Sequence, residues 1–229
     1  MTAESSLVPE PELSREVRKS LTATFLGNPL YAYREVDSTN NILKKMAEGD
    51  VAEGATVIAA NQLKGKGRRE RVWISTPGEG VYMSTLLRPN ISPSDVGLVS
   101  ILGGIGIITA LEKLHLKELS LKWPNDVLAR NRKIAGVLVE PRLGGGEVDF
   151  VVLGIGVNVQ QPPERWTGSL KETATSCHME GSSACCSEVA AAVLNALDHW
   201  YHVLREGDNR QLMEAWARRG GKPEMPVID

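Results

Sequence analysis

The chain has 229 residues, 42% of them hydrophobic and 24% charged, the proportions of an ordinary globular protein of one sizeable domain. A net charge of −2 argues against bulk attraction to nucleic acid, so any basic cluster must act locally. Three cysteines, Cys177, Cys185 and Cys186, are too few and too bunched for a disulfide framework, which points to a reducing cytoplasm; the polar, acidic N-terminus is no signal peptide.

In chain order, residues 11–23 have helical spacing, with Leu13, Val17 and Leu21 on one face. "LYAYREV" (30–36) alternates as a strand does. "DSTNNILKKMAEGD" reads as a helix capped by Asp37 or Ser38, facing inward with Ile42, Leu43 and Met46 and ended by Gly49. "ATVIAANQ" (55–62) is a strand running into a basic segment. "WISTPGEGVYMSTLLRP" gives a strand end, a Pro-Gly turn and another strand. "VGLVSILGGIGIITAL" (96–111) is uncharged but shorter than the ~20 residues a bilayer requires. It is expected to be a buried core helix, with Ser92 as N-cap, Pro93 in its first turn and glycines that let it approach a sheet. "LSLKWP", "DVLARN", "KIAGVLVEP" and "VDFVVLGIGVNV" are short apolar runs broken by turns, the rhythm of adjacent antiparallel strands. Residues 187–207 form an amphipathic helix with Ser187 as cap and Gly207 as stop, and a shorter helix, 208–219, follows. The expected class is α+β: a large mixed or mostly antiparallel sheet with helices on one side.

"NQLKGKGRRERVW" (61–73) concentrates positive charge on a glycine-rich segment. It suits a solvated loop, a nucleic-acid contact, or a lid that is disordered when empty and folds over a small anion. Glycines let the backbone approach a ligand, and N–H groups beside guanidinium groups make a phosphate cradle. Chemistry alone does not separate the last two. Other polar islands add weight. "DSTN" opens a helix, "KWPND" (122–126) offers a cation, an amide and a carboxylate, "RKIAG" (132–136) opens the next strand, and "GIGVN" (154–158) brings glycines and an amide. A tight turn between strands would bring Lys122, Asp126 and Lys133 together.

These five motifs, in this order and spacing, resemble those of biotin–protein ligases, also called biotin–[acetyl-CoA-carboxylase] ligases, from about residue 30 to 160. The resemblance implies a class II aminoacyl-tRNA synthetase-like fold. It implies formation of biotinyl-5′-AMP and pyrophosphate from biotin and ATP with Mg²⁺ and no prosthetic group, then transfer to a lysine of a biotin carboxyl carrier domain. On it, biotin is met by Ser38, Thr39, Asn40, Gln62, Lys66, Gly67, Arg68, Lys133 and Gly136. The catalytic cations are Lys133, Arg68 and Lys122. ATP falls to Arg68, Arg71, Trp73, Lys122, Asn125, Lys133 and Asn158, and Mg²⁺ to Asp126 and Asn158. Trp73 would stack near the adenine, and the closed loop would retain the reactive intermediate.

The loop departs from the family's frequent Gly-Arg-Gly-Arg-Arg-Gly: Lys66 loses a bidentate fork, and Glu70 brings negative charge and removes a flexible position. The expected divisions are an extension over 1–29, a catalytic domain over 30–219 and a short tail over 220–229. About thirty residues before the motifs are too few for the DNA-binding domain of many relatives, and only a short tail follows the last helix, so their C-terminal barrel is either absent or truncated away; no DNA and no membrane partner is expected. "RLGGGEVD" (142–149) reads as a hairpin tip that suits the edge of a homodimer and a plain turn equally. Cys177, His178, Cys185 and Cys186 match no common zinc spacing. His115, His199 and His202 are structural or exposed. The rival functions are a lipoate–protein ligase or octanoyltransferase, the latter needing a reactive cysteine, and a biotin-binding module without catalysis.

Overall fold

Alternation along the strands sorts their side chains into two unlike faces. The computed structural model describes residues 7–220 and shows one seven-stranded sheet. Its strands are β1 (Leu30–Val36), β2 (Thr56–Gln62), β3 (Gly80–Leu87), β4 (Leu119–Lys122), β5 (Asp126–Ala129), β6 (Arg132–Gly144) and β7 (Glu147–Asn158). They lie in the order β1-β2-β3-β7-β6-β5-β4. Only β1 and β2 pair parallel; the crossover between them is the helix α2 (Thr39–Ala47). Every other pairing is antiparallel, as the turn-broken apolar runs imply.

One face of the sheet presents Met83 and Leu87 of β3, Val137 of β6 and Leu153, Ile155 and Val157 of β7 to the main core. The helices α1 (Pro11–Ser20), α3 (Gly97–Lys113), α5 (Cys186–Arg205) and α6 (Asn209–Ala217) complete it. α1 contributes Val17, fully buried. With a preceding 3-10 turn, α3 is the core of a helical stretch of 21 residues, Pro93–Lys113, longer than expected and long and apolar enough to cross a membrane. Here it is a core helix whose own residues are mostly buried. Its glycines face close neighbours. A Cβ on Gly103 would lie 2.9 Å from Val137 Cγ1, and one on Gly106 would lie 2.5 Å from Leu197 Cδ2 on α5. The first contact seats the helix on the sheet, and the second lets two helix backbones approach.

The opposite face carries a smaller core in which Ile42, Leu43 and Ala47 of α2 meet Val57, Ala59, Leu86, Phe150 and Val152. Helices therefore cover both faces, which corrects the expectation of one side. α2 could not be assigned a face from its sequence, because each face of a sheet accepts an amphipathic helix equally. The cap of α5 also differs. Cys185, not Ser187, is its N-cap, and Glu188 completes a capping box by accepting the Cys185 N–H at 2.8 Å. Gly207 ends the helix with φ +77°, and Asp208 caps α6 by accepting the Gln211 N–H at 3.2 Å. The predicted tip at 142–149 is the β6–β7 hairpin, with Gly145 and Gly146 at positive φ. A four-residue helix, α4 (Leu170–Thr173), precedes the segment that runs beside β6. The expected tail over 220–229 lies outside the described residues but for Gly220.

Gly106→Val should lower stability by about 1–3 kcal/mol, because a branched side chain overpacks the α3–α5 seam. Urea unfolding measures it, and an unchanged midpoint would contradict the close seam.

Candidate functional site

On the α2 face large side chains thin out beyond Leu86 and Val152. The inward positions include Ser84, Gly154, Gly156 and Gly136, with Gly136 opposite Gly156 in the ladder, and Tyr82 and Leu138 stand beside these glycines on the neighbouring strands. The strands thus floor a trough with bare backbone. Every cluster that the motifs singled out borders it.

A β-bulge turns Lys133 into this trough. Val127 pairs with Ala135 but Leu128 pairs with Lys133, so one residue, Ile134, is extra on β6. In a regular strand residues 133 and 136 would face opposite sides. Here the Lys133 Nζ lies 3.4 Å from where a Gly136 Cβ would be, and 2.7 Å from Asp126 Oδ1. Asp126 stands opposite Gly136 in the ladder, so the carboxylate and the ammonium meet at the trough's end. The pair is close but not aligned as a hydrogen bond, and Asp126 Oδ1 is buried without an aligned donor. Lys122 stands opposite Asp126 but is exposed and forms no ion pair among the described residues. Asp126 and Lys133 converge as expected, and Lys122, directly opposite Asp126 in the ladder, stands on the same face beside them. Asn125 lies in the connecting turn, where its carbonyl accepts the Val137 N–H at 2.8 Å and the neighbouring Pro124 carbonyl accepts the Ser100 hydroxyl at 2.6 Å.

The basic segment folds as a small hairpin over the trough. Lys66 bridges Val72, the Gly67 N–H donates to Arg71 C=O at 2.7 Å, and the Trp73 N–H to Gly65 C=O at 2.9 Å. Arg69 and Glu70 form its tip with φ +52° and +59°. Two consecutive left-handed residues suit a tight hairpin, but glycine or asparagine is preferred there. Glu70 therefore strains the turn. A left-handed residue with a Cβ costs about 1–2 kcal/mol. Trp73 lies on the glycine floor. A Cβ on Gly156 would be 2.5 Å from its ring and one on Gly136 would be 2.9 Å. Lys133 Nζ sits 5.3 Å from the ring centroid, a cation–π contact. The indole N–H is buried without an acceptor. Arg68 is half-buried, Arg71 is exposed, and neither forms an ion pair among the described residues.

The DSTN motif enters α2 at the other end. Ser38, Thr39 and Asn40 are buried. Gln62 Oε1 accepts the Thr39 N–H at 2.9 Å and the Thr39 hydroxyl at 3.1 Å, so the amide nitrogen of Gln62 points elsewhere, 3.4 Å from Ser75 Oγ. The Asn40 side chain bonds at both ends of its amide. Its Oδ1 accepts from Ser84 at 2.5 Å, and its amide donates to Glu140 at 2.6 Å. Gly154 is glycine because a Cβ there would strike Asn40 Oδ1. Asn40 thus helps to build the wall, with one amide N–H and one lone pair of its oxygen in use. Asn158 is similarly engaged: its amide donates to Thr175 C=O at 2.9 Å and Lys133 C=O at 3.4 Å, leaving only its oxygen for a ligand. Ser38 is the N-cap of α2, without a side-chain capping bond, and Asp37 accepts the Ser38 N–H at 2.7 Å and the Asn41 side-chain amide at 2.7 Å, while Lys66 donates to Asn41 Oδ1.

Ser84, Glu140, Asn41 and Lys44 escape a reading by motif because they sit in runs that otherwise read as core strand or helix surface. The clue was polarity at an inward position, serine within "YMSTLL" and glutamate within "VLVEP". Glu140 accepts from both Asn40 and Lys44. Burial alone would raise its carboxyl, but these hydrogen bonds outweigh it and hold the pKa below the ordinary 4.5. Cys177 and Cys186 move the other way: burial pushes each thiol up to about 12. Among the described residues no group of three or more His, Cys, Asp or Glu side chains is placed to hold a metal ion.

The sequence matches the model of the Biotin/lipoate A/B protein ligase family over residues 31–158. It is 34% identical over 161 residues to the bifunctional ligase/repressor BirA of Bacillus subtilis, covering 70% of this chain and 50% of that protein, so the chain spans about half the length of that relative. It is 32% identical over 199 residues to a biotin–[acetyl-CoA-carboxylase] ligase of Paracoccus denitrificans, covering 84% of this chain and 81% of the other. Among solved structures, the biotin protein ligase of Aquifex aeolicus in complex with biotin and ATP superposes with a TM-score of 0.70 at 31% identity. The match covers 83% of this chain and 77% of that one.

Because the Glu140 pKa is depressed on folding, the unfolded chain takes up the proton first as pH falls. Its stabilisation is complete above about 4.5 and is lost below that value, down through the depressed one. Urea unfolding at stepped pH should show Glu140→Gln with a shallower acid loss than the parent, and parallel curves would contradict the assignment.

Proposed function

The chain belongs to the biotin/lipoate A/B protein ligase family, and from that premise we propose that it is an ATP-dependent biotin–protein ligase acting on a carboxylase carrier domain in the cytoplasm. The single observation that carries the reading is the bulge that turns Lys133 onto the glycine floor, under a cationic hairpin. That similar proteins include biotin–[acetyl-CoA-carboxylase] ligases supports biotin over lipoate. The thiols weigh against an octanoyltransferase: Cys177 is buried, and burial keeps both it and Cys186 protonated at neutral pH.

The proposed chemistry follows from charge. A carboxylate oxygen of biotin attacks the α-phosphorus of ATP, the bond from that phosphorus to the bridging oxygen breaks, and pyrophosphate leaves. Attack brings two anions together, so a cation fixed at their junction lowers the barrier, and Lys133 occupies that end of the trough. Arg68 and Arg71 of the hairpin and Lys122 beside the turn supply further positive charge for the phosphates. The biotin head would lie toward Ser38, Thr39 and Gln62, where the Gln62 amide nitrogen, which donates one N–H to Ser75 Oγ, has a second to offer the ureido carbonyl. In the second step the carrier lysine amine attacks the mixed anhydride, AMP leaves and the amine loses its proton. Trp73 rests where a flat ligand would also fit, and its unpaired N–H favours exchange for a ligand that brings an acceptor. Mg²⁺ would be held by the Asp126 carboxylate, whose Oδ1 it would share with the Lys133 ammonium 2.7 Å away, with the Asn158 oxygen as a second candidate ligand; when bound it would neutralise phosphate charge.

Incubating the protein with Mg²⁺, ATP, biotin or lipoate and a carrier domain tests the reading by pyrophosphate release and carrier mass. Biotin-dependent release with a biotinyl mass gain is expected; lipoyl gain, or no release, would overturn it. Lys133→Ala should lower adenylate formation by about 10²-fold or more. Arg68→Gly should retain adenylation yet label bystander lysines, whereas Glu70→Gly should relieve the strained tip and label fewer. Equal bystander labelling in all three proteins would contradict a retaining lid.

A further inference from the structure

Glu180 is a buried acid with no part in the chemistry above. Its carboxylate is 4% exposed. It accepts the Thr175 hydroxyl at 2.6 Å and Arg132 at 2.8 Å, and Arg130 lies 3.7 Å away. Both of its near partners flank Lys133. Arg132 precedes Lys133 in the chain. Thr175 lies beside it, donating its N–H to the Lys133 carbonyl at 2.9 Å, while Ala174 bridges Lys133 in parallel.

That carbonyl belongs to the bulge. A bulge leaves backbone groups without ladder partners, and the strand bends unless something holds it. The segment after α4 supplies the holding groups. The Thr175 N–H and, at 3.4 Å, the Asn158 amide both converge on Lys133 C=O. Ser176 anchors the segment's far side by donating to Gln161 C=O at 2.6 Å, and the Glu180 N–H closes the turn on Ser176 C=O at 3.0 Å. Glu180 then ties the turn to Arg132 by charge. One buried carboxylate thus ties together the side chains of Arg132, which precedes Lys133 in the chain, and of Thr175, whose N–H holds the Lys133 carbonyl.

We infer that Glu180 is a positioning residue for Lys133, holding the bulge that aims the ammonium at the reacting carboxylate and α-phosphate. The inference rests on the ligase reading for its kinetic consequence but not for its structural one. A charge-assisted clamp suits this task, because it resists small shifts of the strand that would misplace the ammonium, and misplacement by about 1 Å can cost about 10²-fold in rate.

Four measurements test it. In biotin-dependent pyrophosphate exchange, Glu180→Ala should lower kcat about tenfold while the KM for ATP stays within about twofold. Glu180→Gln, which keeps an acceptor for Thr175 and loses the charge, should lose about two- to threefold. In a Lys133→Arg background the same Glu180→Ala change should cost less than twofold, because the lysine geometry is already gone. An equal loss in both backgrounds would mean a merely structural role and overturn the inference, as would parent kinetics in Glu180→Gln. Amide hydrogen exchange at Thr175 needs no turnover. It should quicken about tenfold or more in Glu180→Gln, and an unchanged rate would overturn the inference even if the parent forms no adenylate, a result that would count against the ligase reading alone.

Discussion

One extra residue in β6 decides where the positive charge of this site stands. Ile134 has no partner across the ladder, so Lys133 crosses to the face that Gly136, Gly154 and Gly156 leave bare. Without the bulge the ammonium would enter the main core, where burying an unpaired charge is prohibitive, or the strand would slip by one residue. With it, Lys133, Asp126 and Trp73 share one small surface. The rest of the molecule can be ordered around that fact. The main core of α1, α3, α5 and α6 holds the sheet rigid from behind, and α2 closes the other face only as far as the trough.

The two ends of the trough are built on different physics. At the DSTN end, hydroxyl and amide groups pair with one another: Thr39 with Gln62, Ser84 with Asn40, Asn40 with Glu140 and Glu140 with Lys44. A satisfied buried network fixes its members and presents few, well-defined groups to a ligand. At the Lys133 end, groups are close but unsatisfied, as Asp126 Oδ1 and the Trp73 N–H show. Unpaired polar atoms are costly in a finished core and belong where a ligand completes the pairing. On the proposed ligase reading, that contrast assigns recognition to one end and charge handling to the other.

Much of this was legible in the chain itself. The seven strands and the principal helices follow from alternation, helical spacing and turn residues, and the five polar motifs do border one trough. What escaped has physical causes. The bulge adds a residue without changing composition, so "RKIAG" reads as regular strand. The face taken by α2 depends on the crossover between β1 and β2, not on its own amphipathic pattern. Asn40 belongs to a motif yet helps to build the wall, through a partner, Glu140, that lies 100 residues away in sequence. Glu180 and Thr175 follow the last motif, and only the fold returns them to Lys133.

On the proposed ligase reading, Lys133 faces the place where a carboxylate binds. Mild acylation with acetic anhydride, read residue by residue by mass spectrometry with and without biotin, tests this without turnover. Biotin should slow labelling of Lys133 and leave the exposed Lys122 unchanged. Lys133 labelling at the same rate in both samples, while biotin is independently shown to be bound, would contradict it.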